Sequence, residues 1–339
     1  LGNLSAYPNA VRWSAIDNPL DWPEPGSNDA QYKQADIQIF PGGGAVQAIA
    51  TGMSAYEGLV FCETSIYRAQ YVGSPYIFQF TAVDKNRGTI APRSVIQASN
   101  YVYFLSEDGF YATDGAQVRN IGLERVNLWW RDNSDENRRH ETMAVYNPVA
   151  GVVAWAFASS SCPPDRFDRL MIFHPELNRF SLVYQDVELI YTDASRGLTL
   201  EDLDAYGPLD ELTFSLDSKG LKGGVAVLGA FNIEHKTVLF AGKAREAALE
   251  TVEKGGTGMF IHGVRPIIDG AEASVVLLHR NFQKDTLQVL NCAAPSKRDG
   301  IAYGRCSTRY ARAQVHIPAG VDWTHAQGVE VYYEEEGNI

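Results

Sequence analysis

Two short hairpin cassettes constrain this chain more than anything else in it. The first is Leu59-Val60-Phe61-Cys62-Glu63-Thr64-Ser65-Ile66-Tyr67-Arg68, and the second runs from Tyr101 to Ala112, about forty residues further on. Each joins two runs of β-branched and aromatic residues through a short polar turn, the local signature of paired strands. A hairpin alone cannot cover both of its faces, so a unit of this kind must stack on copies of itself. A strand-only unit recurring every 40–50 residues is the spacing of a propeller blade. The expected fold is therefore all-β: a β-propeller of about five to seven blades over 1–243, whose first blade could be incomplete. A C-terminal β-sandwich-like or barrel domain is expected over 244–339.

The rest of the chain reads in the same terms. The segment Val11 to Pro23 reads as a strand ending in a Pro-locked turn, and Pro41-Gly42-Gly43-Gly44 is a turn before a half-buried strand at Ala45–Ala50. The clearest blade pairs Met143–Tyr146 with Val152–Phe157 and Leu170–Phe173 with Arg179–Tyr184, four strands in about forty residues. Further strands are expected at 212–216, 225–231 and 236–240. Between blades, Leu123 to Trp130 has the spacing of a short helix, with Leu123, Val126 and Trp130 on one face and Trp129 turned toward Arg125. Trp129 and Arg125 are the candidate residues for an assembly interface, because Trp and Arg are enriched where protein surfaces meet. Past Ala244 the blade pattern is lost. Strands are expected at 244–252, 273–279, 286–290, 310–317 and 329–333, with Ala311, Ala313, Val315 and Ile317 sharing one face.

Charge and chemistry narrow the function classes. With 29 Lys and Arg against 41 Asp and Glu, the net charge of −12 opposes any general grip on nucleic-acid phosphates. Cys62, Cys162, Cys292 and Cys306 form no CxxC pair, and the seven histidines form no HExxH, so neither a metal nor a cofactor is expected. Gly42–Gly44 and Gly255-Gly256-Thr257-Gly258 lack the Lys and Ser/Thr that would follow in a phosphate loop, and both are read as turns. Gly52-Met53-Ser54-Ala55-Tyr56 fails the last position of a nucleophile elbow. Asp108-Gly109 and Asp114-Gly115 are turn pairs before they are catalytic carboxylates. No apolar run reaches the roughly 20 residues of a membrane span, and no charged-then-apolar leader precedes the first strand.

Val11-Arg12-Trp13-Ser14 with Asn18-Pro19 and Trp22, Ile66-Tyr67-Arg68 leading into Tyr76-Ile77-Phe78-Gln79-Phe80, and Phe104–Tyr111 followed by Asp114-Gly115-Ala116-Gln117 carry a family resemblance. On these residues the chain resembles the packaged-DNA stabilisation or tail-hub proteins of short-tailed phages and prophages. The resemblance implies a propeller and a non-enzymatic virion protein, made in the host cytoplasm and built into the tail. It would assemble as a homo-oligomeric ring, hexameric in one form, against portal or adaptor and spike or fibre proteins, with packaged DNA nearby and no sequence-specific contact. Two other functions remain open. A glycan- or receptor-binding module would show a shallow groove lined by aromatics such as Tyr71, Tyr76 or Tyr103, and a propeller glycoside hydrolase would show two carboxylates about 5–10 Å apart.

Overall fold

The computed structural model describes the chain except for residues 52, 53, 55, 75, 195–225, 241–243, 270–272, 322, 324 and 337–339. Antiparallel sheets dominate, and they fall into two compact units, the first carrying the sheets up to Phe240 and the second the sheet that follows Ala241. The strand expected at 212–216 lies outside the described residues.

In the first unit, β1 (Ala10–Trp13) pairs with β2 (Asp36–Ile39), and the short helix α1 (Asn28–Lys33) lies between them in sequence. Ser27 caps α1 by accepting a hydrogen bond from the Ala30 amide, and Gln34 closes it in the left-handed region at φ 60°. Three four-stranded meanders follow, each with the strand order of the sequence. They comprise β3 (Val46–Thr51), β4 (Glu57–Cys62), β5 (Ile66–Tyr71) and β6 (Phe78–Asp84); β7 (Ile96–Ala98), β8 (Tyr101–Ser106), β9 (Gly109–Thr113) and β10 (Val118–Asn120); and β11 (Met143–Asn147), β12 (Val152–Phe157), β13 (Phe167–His174) and β14 (Arg179–Val187). A three-stranded sheet of β15 (Leu189–Ala194), β16 (Ala226–Phe231) and β17 (Thr237–Leu239) completes the unit. This is the blade-forming, all-β architecture that the hairpin repeat implies.

The sheets stack face to face, and strand alternation divides each meander between two cores. On β8, Val102 and Phe104 join Leu59, Phe61 and Ile66 of the preceding meander, while Tyr103 and Leu105 join Trp155, Phe157 and Phe173 of the next. On β12, Val153 and Trp155 look back, and Ala154 and Ala156 look forward to Ile190, Leu228 and Ala230. A strand covered on both sides has no solvent face, so its sequence is an unbroken apolar run. Trp155 is fully buried, meets Phe110 at a centroid distance of 4.9 Å, and donates its indole N–H to the Ser94 carbonyl at 3.1 Å.

The helix between the second and third meanders starts later than its spacing suggests. α2 spans Asn127–Asn133, and the Gly122 carbonyl instead accepts the amides of Arg125, Val126 and Asn127 in a tight turn, with Glu124 at φ 57°. Leu123 is therefore exposed, whereas Trp130 is fully buried. The Asn127 side chain accepts from the Phe110 amide and donates to Asn120, sealing the end of β9. That seal needs Gly109, whose φ is 139° and whose added Cβ would run into Asn127.

The second unit is one six-stranded sheet in the order β21-β20-β22-β19-β23, with β18 also pairing β22. Its strands are β18 (Ala247–Glu250), β19 (Lys254–Ile268), β20 (Ser274–Arg280), β21 (Gln288–Asn291), β22 (Ala302–Ile317) and β23 (Ala326–Glu335). Ala311, Ala313, Val315 and Ile317 are all buried, as their alternation requires. Gly255–Gly258 corrects an expectation, since it is not a turn but part of β19. The Tyr310 ring covers Gly255, where an added Cβ would collide with it, and the register shifts between Gly255 and Met259. Glycine here admits a large cross-strand ring and a bulge.

Two outcomes are expected. Trp155→Ala removes the ring that joins two sheets and should lower unfolding stability by about 3–5 kcal/mol in a chemical denaturation titration. In the second unit, Arg280 forks onto Glu253 at 2.6 and 2.5 Å, and those hydrogen bonds hold the Glu253 carboxyl below its ordinary value. The resulting stabilisation is present above the unfolded carboxyl pKa of 4.5 and is lost as pH falls through the lower folded value. Denaturant midpoints followed from pH 6 to pH 3 should fall less in Glu253→Gln than in the parent chain.

Candidate functional site

An open cleft of about 790 Å³ lies in the first unit between the β1–β2 region and one face of the first meander. Its floor follows from register. Gly58 on β4 lies opposite Ala69 on β5, and Ala69 opposite Phe80 on β6, so two of the smallest side chains sit side by side where neighbouring rows carry Val60 and Tyr71. A Cβ added at Gly58 would meet nothing closer than the Ala50 carbonyl at 3.5 Å. The hollow is therefore made by missing side chains and not by a gap between strands.

Aromatic rings form the walls. Trp13 meets Phe78 edge-on at 5.2 Å and Phe80 at 6.1 Å. At the rim, Tyr56 and Tyr71 stack at 6.5 Å with an interplanar angle of 27°, and both are exposed, Tyr56 at 69 %. Trp22 closes the far side. The loop that carries it is tied down by Arg12, which donates to the carbonyls of Trp22 and Pro23 at 2.9 and 2.7 Å and lies 5.8 Å from the Trp22 ring centroid. Trp22 itself donates to Pro19, and Trp13 donates to the Gln34 carbonyl at the end of α1. Lys33 completes the brace through ion pairs to Asp21 and Asp29, each at 2.9 Å.

The cleft can grip a ring, and its acid chemistry is sparse. Glu57 is the one acidic residue among its lining residues, and strand alternation sends its side chain to the face opposite Gly58. Among the described residues of the lining, the paired carboxylates that glycoside cleavage needs are not assembled. Among the described residues, no group of three or more His, Cys, Asp or Glu is placed to hold a metal ion.

Of the aromatics singled out in the sequence, Tyr71 lines this cleft. Tyr76 is 77 % exposed and does not, while Tyr103 is buried between the second and third meanders. Trp13, Trp22, Tyr56 and Phe78 were not singled out as groove residues, because they come from separate segments that only the fold brings together. The two candidate interface residues play different parts. Trp129 packs half-buried against the core that holds Trp130, and the exposed Arg125 donates to the Asn178 carbonyl. The guanidinium over the neighbouring Trp130 ring is that of Arg139, 5.0 Å from its centroid.

No protein-family model matches the chain, and no curated protein matches it. Among solved structures it is similar to a protein described as a glycoside hydrolase, at 9 % identity and a TM-score of 0.23, covering 84 % of this chain and 83 % of that one. It is also similar to an exo-beta-1,3-galactanase from Phanerochaete chrysosporium with beta-1,3-galactotriose, at 8 % identity, TM-score 0.24 and coverage of 84 % and 80 %. A third likeness is to a protein of Bacteroides uniformis provisionally assigned as a 6-phosphogluconolactonase, at 10 % identity, TM-score 0.28 and coverage of 95 % and 99 %. None of these is a tail, portal or other virion protein, and the expectation of a non-enzymatic tail hub is corrected accordingly. At such identities and scores their activities remain theirs, and only the cleft itself speaks for this chain.

Arg12→Ala should release the Trp22 loop. The loss of two charge-assisted hydrogen bonds is expected to cost about 2 kcal/mol, and amide exchange across residues 14–23 should accelerate while that of β8 and β12 stays unchanged.

Proposed function

We propose that the first unit recognises a carbohydrate chain in the aromatic cleft. The observation that carries this reading is the pairing of an apolar, ring-lined trough with a hollow floor. A pyranose ring presents a face of C–H groups that lies flat on an aromatic side chain, while its hydroxyls remain at the edges for water and polar groups. Tyr56 and Tyr71 supply such a surface at the rim, with phenol groups for hydrogen bonding, and Trp13 and Trp22 supply it on the walls. The volume suits two or three sugar units and lies within the usual range of small-ligand sites.

The open form of the cleft favours binding along a chain over enclosure of a single sugar. Arg12 and Lys33 brace the wall that carries Trp22, and a rigid wall keeps the entropic cost of binding low. Recognition is the role the cleft supports first. Cleavage would require a second carboxylate brought to the bound sugar from outside the lining.

The test uses the whole chain and the intrinsic fluorescence of Trp13 and Trp22, titrated with β-linked gluco- and galacto-oligosaccharides. Binding with a shift in indole emission is expected. In Gly58→Leu, the added Cβ has room, 3.5 Å from the Ala50 carbonyl, and the side chain occupies the floor, so affinity should fall by about tenfold or more while the melting temperature holds. Reducing-sugar release is followed in the same samples. A glycan panel that leaves the emission unchanged, or a Gly58→Leu chain that binds as well as the parent, overturns the proposal.

A further inference from the structure

A second recess, of about 450 Å³, opens between the second and third meanders and has a different character. Its floor is one register row. Arg119 on β10 lies opposite Ala112 on β9, and Ala112 opposite Tyr103 on β8, so the guanidinium-bearing residue and the phenol share a face across the small Ala112. Tyr101 stands two residues along the same strand face, its ring 6.3 Å from that of Tyr103. The opposite wall is Phe173 with the turn around Asn178, and Arg125 reaches over from the Gly122 turn to the Asn178 carbonyl.

Two arginines line this recess and no aspartate or glutamate does, in a chain where acids outnumber bases by 41 to 29. Arg119 is exposed, and among the described residues its side chain makes no hydrogen bond or ion pair. The nearby Asp114 feels its charge but is engaged otherwise, accepting the amides of Ala116 and Gln117 at 2.9 and 2.8 Å. Arg125, by contrast, already spends a donor on Asn178 and is held in place by it. The recess thus offers one fixed and one free guanidinium beside two phenols. Burial pushes the Tyr103 phenol up to about 12, which keeps it a neutral O–H donor at physiological pH.

We infer that this recess is an anion-binding site, which takes a small ring-bearing ligand with a carboxylate or phosphate directed at Arg119 and the ring against Tyr101. A guanidinium presents a planar fork of donors that matches either group, and charge-assisted hydrogen bonds of this kind are the strong ones. The site is separate from the aromatic cleft and does not depend on the carbohydrate reading.

Calorimetric titration of the full chain with glucuronate, a nucleoside monophosphate, inorganic phosphate and glucose tests it. At least one ring-bearing anion should bind, more weakly as salt rises from about 20 to 300 mM, because an exposed charge is screened over that range. Glucose should show no heat attributable to this site, judged by insensitivity to Arg119 substitution. Arg119→Gln, which removes no contact the fold uses, should weaken the anion by about tenfold, and Arg119→Lys by less. Binding by inorganic phosphate alone would overturn the ring component. Absence of binding by every anion, or equal affinity in Arg119→Gln, would overturn the site altogether.

Discussion

Everything in the first unit depends on sheets that are covered on both faces. The middle strands of each meander cannot exist alone, because every second side chain would lie in water. Phe104 and Tyr103 are neighbours in sequence and belong to different cores, one shared with Phe61 and the other with Trp155. Each meander is thus a partition between two apolar layers, and its stability is borrowed from the sheets on either side. Such mutual dependence is what couples a stack of small sheets into one cooperative body.

The same dependence explains where recesses form. A small side chain on a face that a neighbour fully covers leaves a costly internal void, but beside an opening between sheets it leaves a hollow that water or a ligand can fill. Gly58 and Ala69 do this on the first meander, and Ala112 does it on the second. The two hollows then differ by what surrounds them. Indoles and phenols rim one, and guanidinium groups rim the other, so that a common geometric device yields an apolar trough in one place and a cationic recess in another.

Strands covered on both faces were easily read from sequence. Val102-Tyr103-Phe104-Leu105 and Val152–Phe157 are unbroken apolar runs closed by polar turns, and the spacing between such runs reports the sheet repeat directly. The helix boundary was obscured because Leu123, Val126 and Trp130 keep helical spacing through a turn that is set by Glu124 in the left-handed region and by a shared Gly122 carbonyl. Gly255–Gly258 misled for the opposite reason. Glycines carry no strand signal of their own, and what holds them extended is the Tyr310 ring, more than fifty residues away. The cleft was the least legible part. Trp13, Trp22, Phe78 and Phe80 stood among the residues that carried the family resemblance, yet nothing in their spacing says that one trough collects them. Its depth is set by Gly58, a residue whose contribution is the absence of a side chain.

The longest strand of the second unit, β22, is edged by three partners in turn. β19 runs beside its first half, while β18 and β20 flank its second half. A slide of one residue would turn Ala311, Ala313, Val315 and Ile317 outward together and strand their polar neighbours inside. The irregularity at Gly255, covered by the Tyr310 ring, is one of two points at which β19 shifts register against β22, the other lying between Ile261 and Gly263. It acts as a notch in a ruler: β19 and β22 can be brought together in many alignments during folding, but in one alone does the ring find its seat.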